Sequence, residues 1–168
     1  MGVIEQDLIT SHEEEQLVAL RLGNETYGVD ISKIHGIITM QAITKIPRSP
    51  DFVNGVINLR GKVIPVVDLR KRFGLEVSEA TKETRIVIVE MGDQTVGMVV
   101  DGVSEVLTIP AEAIDPPSPI ATGVGTEYIR GVGKIEDRLI ILLDIAKVFG
   151  RDELAELKHT EESGTEQP

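Results

Sequence analysis

Few residues in this 168-residue chain have the types and spacing that bond-making chemistry needs. Nucleophilic catalysis requires a Ser, Cys or Thr beside a base that activates it. The chain has no cysteine, and His12 and His159 lie in polar, acid-rich ends, which leaves His35 in a strand-like run. A structural histidine, exposed or half-buried, explains His35 more simply than a catalytic base does. No His, Asp or Glu cluster has metal-ligand spacing. Asp68 and Asp144 could pose as a carboxylate pair. Each also opens a short helical pattern, where a carboxylate accepts otherwise unpaired backbone N–H groups, and that structural role is the simpler one. Gly123-Val124-Gly125 follows Pro116-Pro117 without a strand-then-helix context or a basic neighbour, so it reads as a linker and not as a phosphate cradle. The expectation is a chain without enzymatic activity, cofactor or metal.

Composition narrows the classes further. Seventeen basic and 28 acidic residues give a formal net charge of −11. Most of that charge sits in residues 1–16 and 151–168, and the body between them is nearly neutral. Within the body, Lys45–Gly74 is locally basic, with Lys45, Arg48, Arg60, Lys62, Arg70, Lys71 and Arg72 against Asp51 and Asp68. One modest basic stretch in an acidic protein argues against nucleic-acid binding, which needs several phosphate contacts. It is equally compatible with solvated loop charges and with a patch for an acidic protein partner. The absence of cysteine excludes disulfide and zinc–thiolate scaffolds. No run approaches the ~20 apolar residues of a membrane helix, and residues 1–16 lack the pattern of a signal peptide. A cytoplasmic protein without direct membrane insertion is expected.

The elements that would position any site come in duplicate. Leu17–Val29 aligns without a gap on Ile86–Met98 at an offset of 69, with Gly23, Thr26 and Gly28 recurring identically. Phe52–Gly74 aligns on Tyr128–Gly150 at an offset of 76. The second copy therefore carries a seven-residue insertion, placed in the Pro/Gly stretch Asp115–Gly125. Each module has short Val/Ile-rich runs bounded by Gly, Asn, Asp or Pro, which are strand signals. Each opens on a Gly-Asn or Gly-Asp turn. Each closes on an Asp-capped helical turn, with Gly74 or Gly150 as its stop. Five strands in roughly 60 residues suggest a small closed or nearly closed barrel, marginal in stability alone. The expected fold is all-β: two barrels packed together, residues 16–84 and 85–150, with strand exchange between them allowed. Residues 1–15 are expected to be a disordered acidic tail. Residues 151–168 are expected to be an acidic tail with a short helix over Asp152–Lys158 and disorder beyond. Positions that differ between copies are freer to carry function, and Asn58-Leu59-Arg60-Gly61 stands where the second copy has Lys134-Ile135-Glu136-Asp137.

The run Gly55-Val-Ile-Asn58-Leu-Arg60-Gly61-Lys-Val-Ile-Pro65-Val-Val-Asp68-Leu-Arg70 resembles the CheW family of bacterial chemotaxis coupling proteins. So do the flanking Tyr27-Gly28-Val-Asp30-Ile31 and Gly97-Met-Val-Val-Asp101-Gly102-Val103. The likeness extends from about Gln16 to Gly150. It implies two SH3-like five-stranded barrels and a non-enzymatic adaptor. Such an adaptor joins the cytoplasmic tips of methyl-accepting chemoreceptors to the regulatory domain of the histidine kinase CheA, within membrane-bound receptor arrays. Carried over position by position, the family's receptor contacts fall on Ile34, Gly55, Asn58, Arg60, Gly97 and Val106. Core packing is an equal account of Ile34 and Val106, and backbone geometry is the better account of Gly55. Many relatives have an acid where this chain has Gly36, so no contact is carried over to that position. No kinase-facing residue is assigned. The alternatives are a CheW-like module of a CheV- or CheA-type protein, disfavoured because no receiver or kinase segment follows Gly150, and a ligand-binding or enzymatic barrel.

Overall fold

The computed structural model describes residues 13–117 and 128–166. Its strands are β1 (Glu14–Leu22), β2 (Glu25–Asp30), β3 (Ile34–Thr39), β4 (Val53–Leu59), β5 (Lys62–Asp68), β6 (Arg85–Met91), β7 (Gln94–Val100), β8 (Gly102–Pro110), β9 (Ile114–Asp115), β10 (Ile129–Ile135) and β11 (Arg138–Leu143). A one-turn helix α1 (Leu69–Arg72) follows β5, and helix α2 (Arg151–Glu166) ends the chain. The architecture is all-β, as expected.

The strands form two sheets, ordered β3-β6-β7-β5-β4 and β8-β1-β2-β11-β10-β9. The first closes on itself through an antiparallel bridge between Thr44 and Val56. In the second, the 3-10 turn Ala111–Ala113 bends β8 into β9, and β9 pairs with β10. Counting β8 and β9 as one bent strand, each sheet is a five-stranded barrel.

The sheets do not follow a division at residue 84. The first barrel is the continuous stretch 34–100, and the second combines residues 14–30 with 102–143. Each repeat has given its opening hairpin to the other. Hairpin β1–β2 pairs with β8 and, in parallel, with β11, while the equivalent β6–β7 pairs with β3 and, in parallel, with β5. The two exchanged hairpins share one pattern, with Gly28 and Gly97 at equivalent places.

It also explains the composition of the strands. Val87, Val89 and Met91 face the partner barrel and Ile86 and Ile88 their own, so β6 is buried on both sides. Strand β11 does the same, with Ile141 and Leu143 at the seam and Ile140 and Leu142 inside. The largest cluster is the seam itself, and each barrel interior is a smaller one. Burial at roughly 25 cal/mol per Å² makes this seam the main stabilising contact. All five aromatics stack across it or at its edge. Phe52 lies on Phe149 at 5.0 Å, and Tyr128 lies on Phe73 at 5.7 Å. These pairs are reciprocal, since Phe52 and Tyr128 are repeat-equivalents, as are Phe73 and Phe149.

The ends differ from the sequence reading in two ways. Strand β1 begins at Glu14, inside the expected tail, while residues 1–12 fall outside the described part. Helix α2 continues through Glu166, well past the expected end at Lys158, where disorder was expected. Leu157 is fully buried in the seam, Thr160 is 2% exposed, and the Thr160 hydroxyl donates to the Glu156 carbonyl. The Glu153 carboxylate accepts the Gly150 N–H at the helix start. Gly150 therefore begins α2 and does not stop the preceding turn. The candidate linker Gly123–Gly125 lies outside the described residues.

Candidate protein-binding site

The turn joining β4 to β5 carries the arginine that the sequence singles out. Arg60 and Gly61 both take positive φ, 54° and 84°, as a two-residue type I′ hairpin requires. The Asn58 side-chain oxygen accepts the Gly61 N–H at 2.8 Å and fixes the turn. Glu136, the repeat-equivalent of Arg60, has φ 55°, so the geometry is common to both copies and the charge is not. Arg60 is exposed and forms no ion pair or hydrogen bond among the described residues. It stands at the mouth of the first barrel, over a cleft of about 410 Å³ floored by Ile38, Ile64 and Ile88 and edged by His35 and Lys62. His35 lies 3.4 Å from Glu90, with both side chains half exposed. Gly36 borders the same cleft and has open space where a side chain would be.

Ile34 and Val106 lie on different sheets and are not equivalents of each other in the repeat. Ile34 is the equivalent of Val103, and both pack partly buried on the seam cluster. Ile37 is the equivalent of Val106, and these stand 41% and 54% exposed on the outer strands β3 and β8. Ile31, 37% exposed, adds a further apolar side chain beside them in sequence. Duplicated exposed apolar positions at both margins of a buried seam are unusual on a surface that only meets water.

Gly55 and Gly97 are not part of an accessible surface. Gly55 is buried with φ 141°, and a Cβ there would stand 2.1 Å from the Thr44 carbonyl oxygen. It is required where the barrel closes. Gly97 is buried on β7, and a Cβ would come within 2.9 Å of Ile86 and 3.4 Å of Val66 in the barrel interior. Its equivalent Gly28 meets Ile140 and Leu17 in the same way. The groove position expected for Gly97 gives way to interior packing. The structure thus brings Asn58 and Arg60 together, sets Ile34 and Val106 at the seam, and gives Gly55 and Gly97 to backbone and core.

Two arginines that sequence reasoning passed over organise the region. Arg70 is 4% exposed and pairs with Asp68 at 2.9 Å and Asp101 at 2.7 Å. Asp68 also caps α1 through the Arg70 N–H, and Asp101 accepts the Gly23 N–H of the exchanged hairpin. The Asp68 hydrogen bond raises the Arg70 pKa; burial opposes it, and the Asp68 charge and Asp101 reinforce it. Arg72 lies over Tyr128 at 4.9 Å and Phe149 at 5.3 Å, and it pairs with Glu153 of α2 at 2.9 Å. The signal for both was the divergence between copies, since Ala146 and Val148 occupy the equivalent positions. Burial pushes the Tyr27 hydroxyl up, and Glu25 adds to it. Burial also pushes Asp30 up. Its hydrogen bonds from the Ser32 backbone and side chain, with Arg130 and Lys33, outweigh that and hold it below the usual carboxylate range.

The family described as "CheW-like domain" matches residues 16–153. The chain belongs to the CheW family. It is 40% identical over 141 residues to the chemotaxis protein CheW of Klebsiella aerogenes, covering 84% of this chain and 85% of that protein. It is 36% identical over 156 residues to the chemotaxis protein CheW of Treponema pallidum, covering 89% and 91%. The crystal structure of scaffolding protein TtCheW from Thermoanaerobacter tengcongensis superposes with a TM-score of 0.77 at 41% identity, covering 83% of this chain and 94% of that one. The CheW match stops at Glu153, so most of α2 lies beyond it. No helix among the described residues is long and apolar enough to cross a membrane.

Proposed function

We propose that this CheW-family chain is a chemotaxis adaptor that couples the cytoplasmic tips of chemoreceptors to the histidine kinase CheA without catalysing a reaction. It acts in the cytoplasm beside membrane-bound receptor arrays. The observation that carries this reading is the pair of exposed apolar positions, Ile37 and Val106, repeated at the two margins of the seam. A helical receptor tip placed along that seam would bury both, together with the exposed parts of Ile34 and Ile31. Apolar helix-in-groove docking of this kind needs few polar contacts.

Arg60 and Asn58 serve a second contact in this reading. A guanidinium without a partner among the described residues, on a turn fixed by Asn58, is free to hold a carboxylate or backbone carbonyls of a bound protein in bidentate fashion. Gly55 and Gly97 then act by shaping the first barrel and touch no partner.

The test uses the full chain with purified CheA regulatory domain and a receptor-tip peptide, each alone and together. Val106→Glu should weaken receptor-tip capture and spare CheA binding. Arg60→Glu should stay folded and lose coupling of receptor to kinase. A wild-type chain that captures neither protein, or Arg60→Glu coupling normally, would overturn the reading.

A further inference from the structure

The basic stretch Lys45–Gly74 is the sequence feature that the adaptor reading leaves mostly unused. The structure scatters its cations. Arg70 is buried against Asp68 and Asp101, and Arg72 is held by aromatic rings and Glu153. Arg60 and Lys62 edge the mouth of the first barrel. Lys45, Arg48 and Lys71 remain, exposed and without an ion pair or hydrogen bond among the described residues.

Lys45 and Lys71 line one cleft of about 390 Å³, formed between the loop after β3 and helix α1. Ile43, Ile46 and Val53 also line it, and Ile46 and Val53 are only 8% and 7% exposed. The chain turns through a left-handed residue, Arg48 with φ 64°, and the Ser49 hydroxyl donates to the Ile46 carbonyl at 2.8 Å. This puts Ser49 and Pro50 on the cleft wall. Asp51 is the single acid among the lining residues. The cleft combines an apolar floor, large enough for one apolar side chain, with two ammonium groups that form no ion pair among the described residues.

The molecule already shows what such a surface holds. On the adjoining part of the same basic stretch, Glu153 of the acidic helix α2 pairs with Arg72 while Leu154 and Leu157 pack on the seam. We infer that the cleft between Lys45 and Lys71 is a further docking site, which takes an acidic peptide segment of another protein. An apolar residue of that segment sits on Ile46 and Val53, and its flanking carboxylates meet the two ammonium groups. This site is separate from the seam and from the Arg60 turn, and its occupancy does not depend on the adaptor reading.

The probe is the capped pentapeptide EELEE, titrated into the ¹⁵N-labelled full chain at low salt, where surface charge is least screened. Shifts are expected to cluster at residues 43–54 and at Lys71, to weaken on adding salt, and to be absent with the capped peptide QQLQQ. Lys45→Glu/Lys71→Glu, two exposed changes that leave the fold intact by circular dichroism, should weaken binding about tenfold or more. Arg60→Glu should leave it unchanged. No shifts, equal binding of QQLQQ, an undiminished double variant or shifts centred elsewhere would each overturn the assignment. So would concentration-dependent self-association that blocks the peptide, since the occupant would then be a second copy of this chain.

Discussion

Replacing Gly55 by alanine separates a backbone role from a contact role. The new methyl carbon would stand 2.1 Å from the Thr44 carbonyl oxygen and 2.7 Å from its carbon, far inside contact distance. Backbone cannot retreat as a side-chain tip can, so the loop at Thr44 must leave β4. That breaks the pair of 2.9 Å hydrogen bonds between Thr44 and Val56, the bridge that closes the first barrel. Two such bonds are worth about 2 kcal/mol together, and a non-glycine residue at φ 141° adds about 1–3 kcal/mol of strain. A loss of about 3–5 kcal/mol is expected in urea unfolding, with faster amide exchange at Thr44 and Val56. The equivalent Gly131 provides the comparison. Its Cβ would meet the Asp115 oxygen and an Ile114 methyl, each at 2.7 Å, but its φ is not positive, and its neighbour is the two-residue strand β9. Gly131→Ala should therefore cost less, about 1–3 kcal/mol. The reasoning fails if Gly55→Ala unfolds within about 1 kcal/mol of the parent, or if Gly131→Ala proves the more damaging. A stable Gly55→Ala that no longer binds receptor would make Gly55 a contact residue after all.

Other outcomes follow from the same geometry. Arg70→Met strands two carboxylates, one of them buried, and should cost about 3 kcal/mol in urea unfolding, with most of it restored by adding Asp68→Asn and Asp101→Asn; a loss below about 1 kcal/mol would contradict this. Leu157→Ala opens a cavity in the seam and should cost about 2–4 kcal/mol by the same measurement, whereas a helix that merely rests on the surface would lose almost nothing. Asp30 has a folded pKa below its unfolded one, so its stabilising contribution is complete above the unfolded value and disappears as pH falls through the folded value. Asp30→Asn should flatten the stability–pH curve below about pH 4, and an unchanged slope there would remove Asp30 from the acid response.

The duplication was legible because its landmarks are steric. Gly55 and Gly131 recur since each lies where another chain segment crosses closely, and Gly28 and Gly97 recur since each faces a crowded barrel interior. Asp68 and Asp144 recur because each caps a turn, accepting the N–H of Arg70 and Ala146 respectively. Barrel membership was not legible. Hairpins β1–β2 and β6–β7 have the same pattern, so local sequence cannot state which barrel each completes. A trace was present all the same: Leu17–Leu20 and Ile86–Val89 are continuously apolar, as strands buried on both faces must be. The length of α2 was missed for a different reason. Its composition is that of a solvated tail, and its order depends on Leu157 and Thr160 reaching a seam that the sequence does not reveal. Arg60 stands out in the sequence because its chemistry differs from that of its twin Glu136. Gly97 faces the interior of the first barrel, and its identity with Gly28 reflects the same packing there.

The hairpin exchange has a consequence for how the molecule is made. During translation β1 and β2 leave the ribosome before the other strands, yet the strands that flank them in the finished sheet, β8 and β11, are synthesised only after every strand of the first barrel. Residues 34–100 can close as a barrel while the early ribbon waits with both its edges bare. A circular permutant that joins residue 168 to residue 1 and opens the chain between Asp30 and Ile34 would remove the wait, because each barrel would then be encoded in one piece. Such a permutant should refold faster and aggregate less than the natural order of the chain.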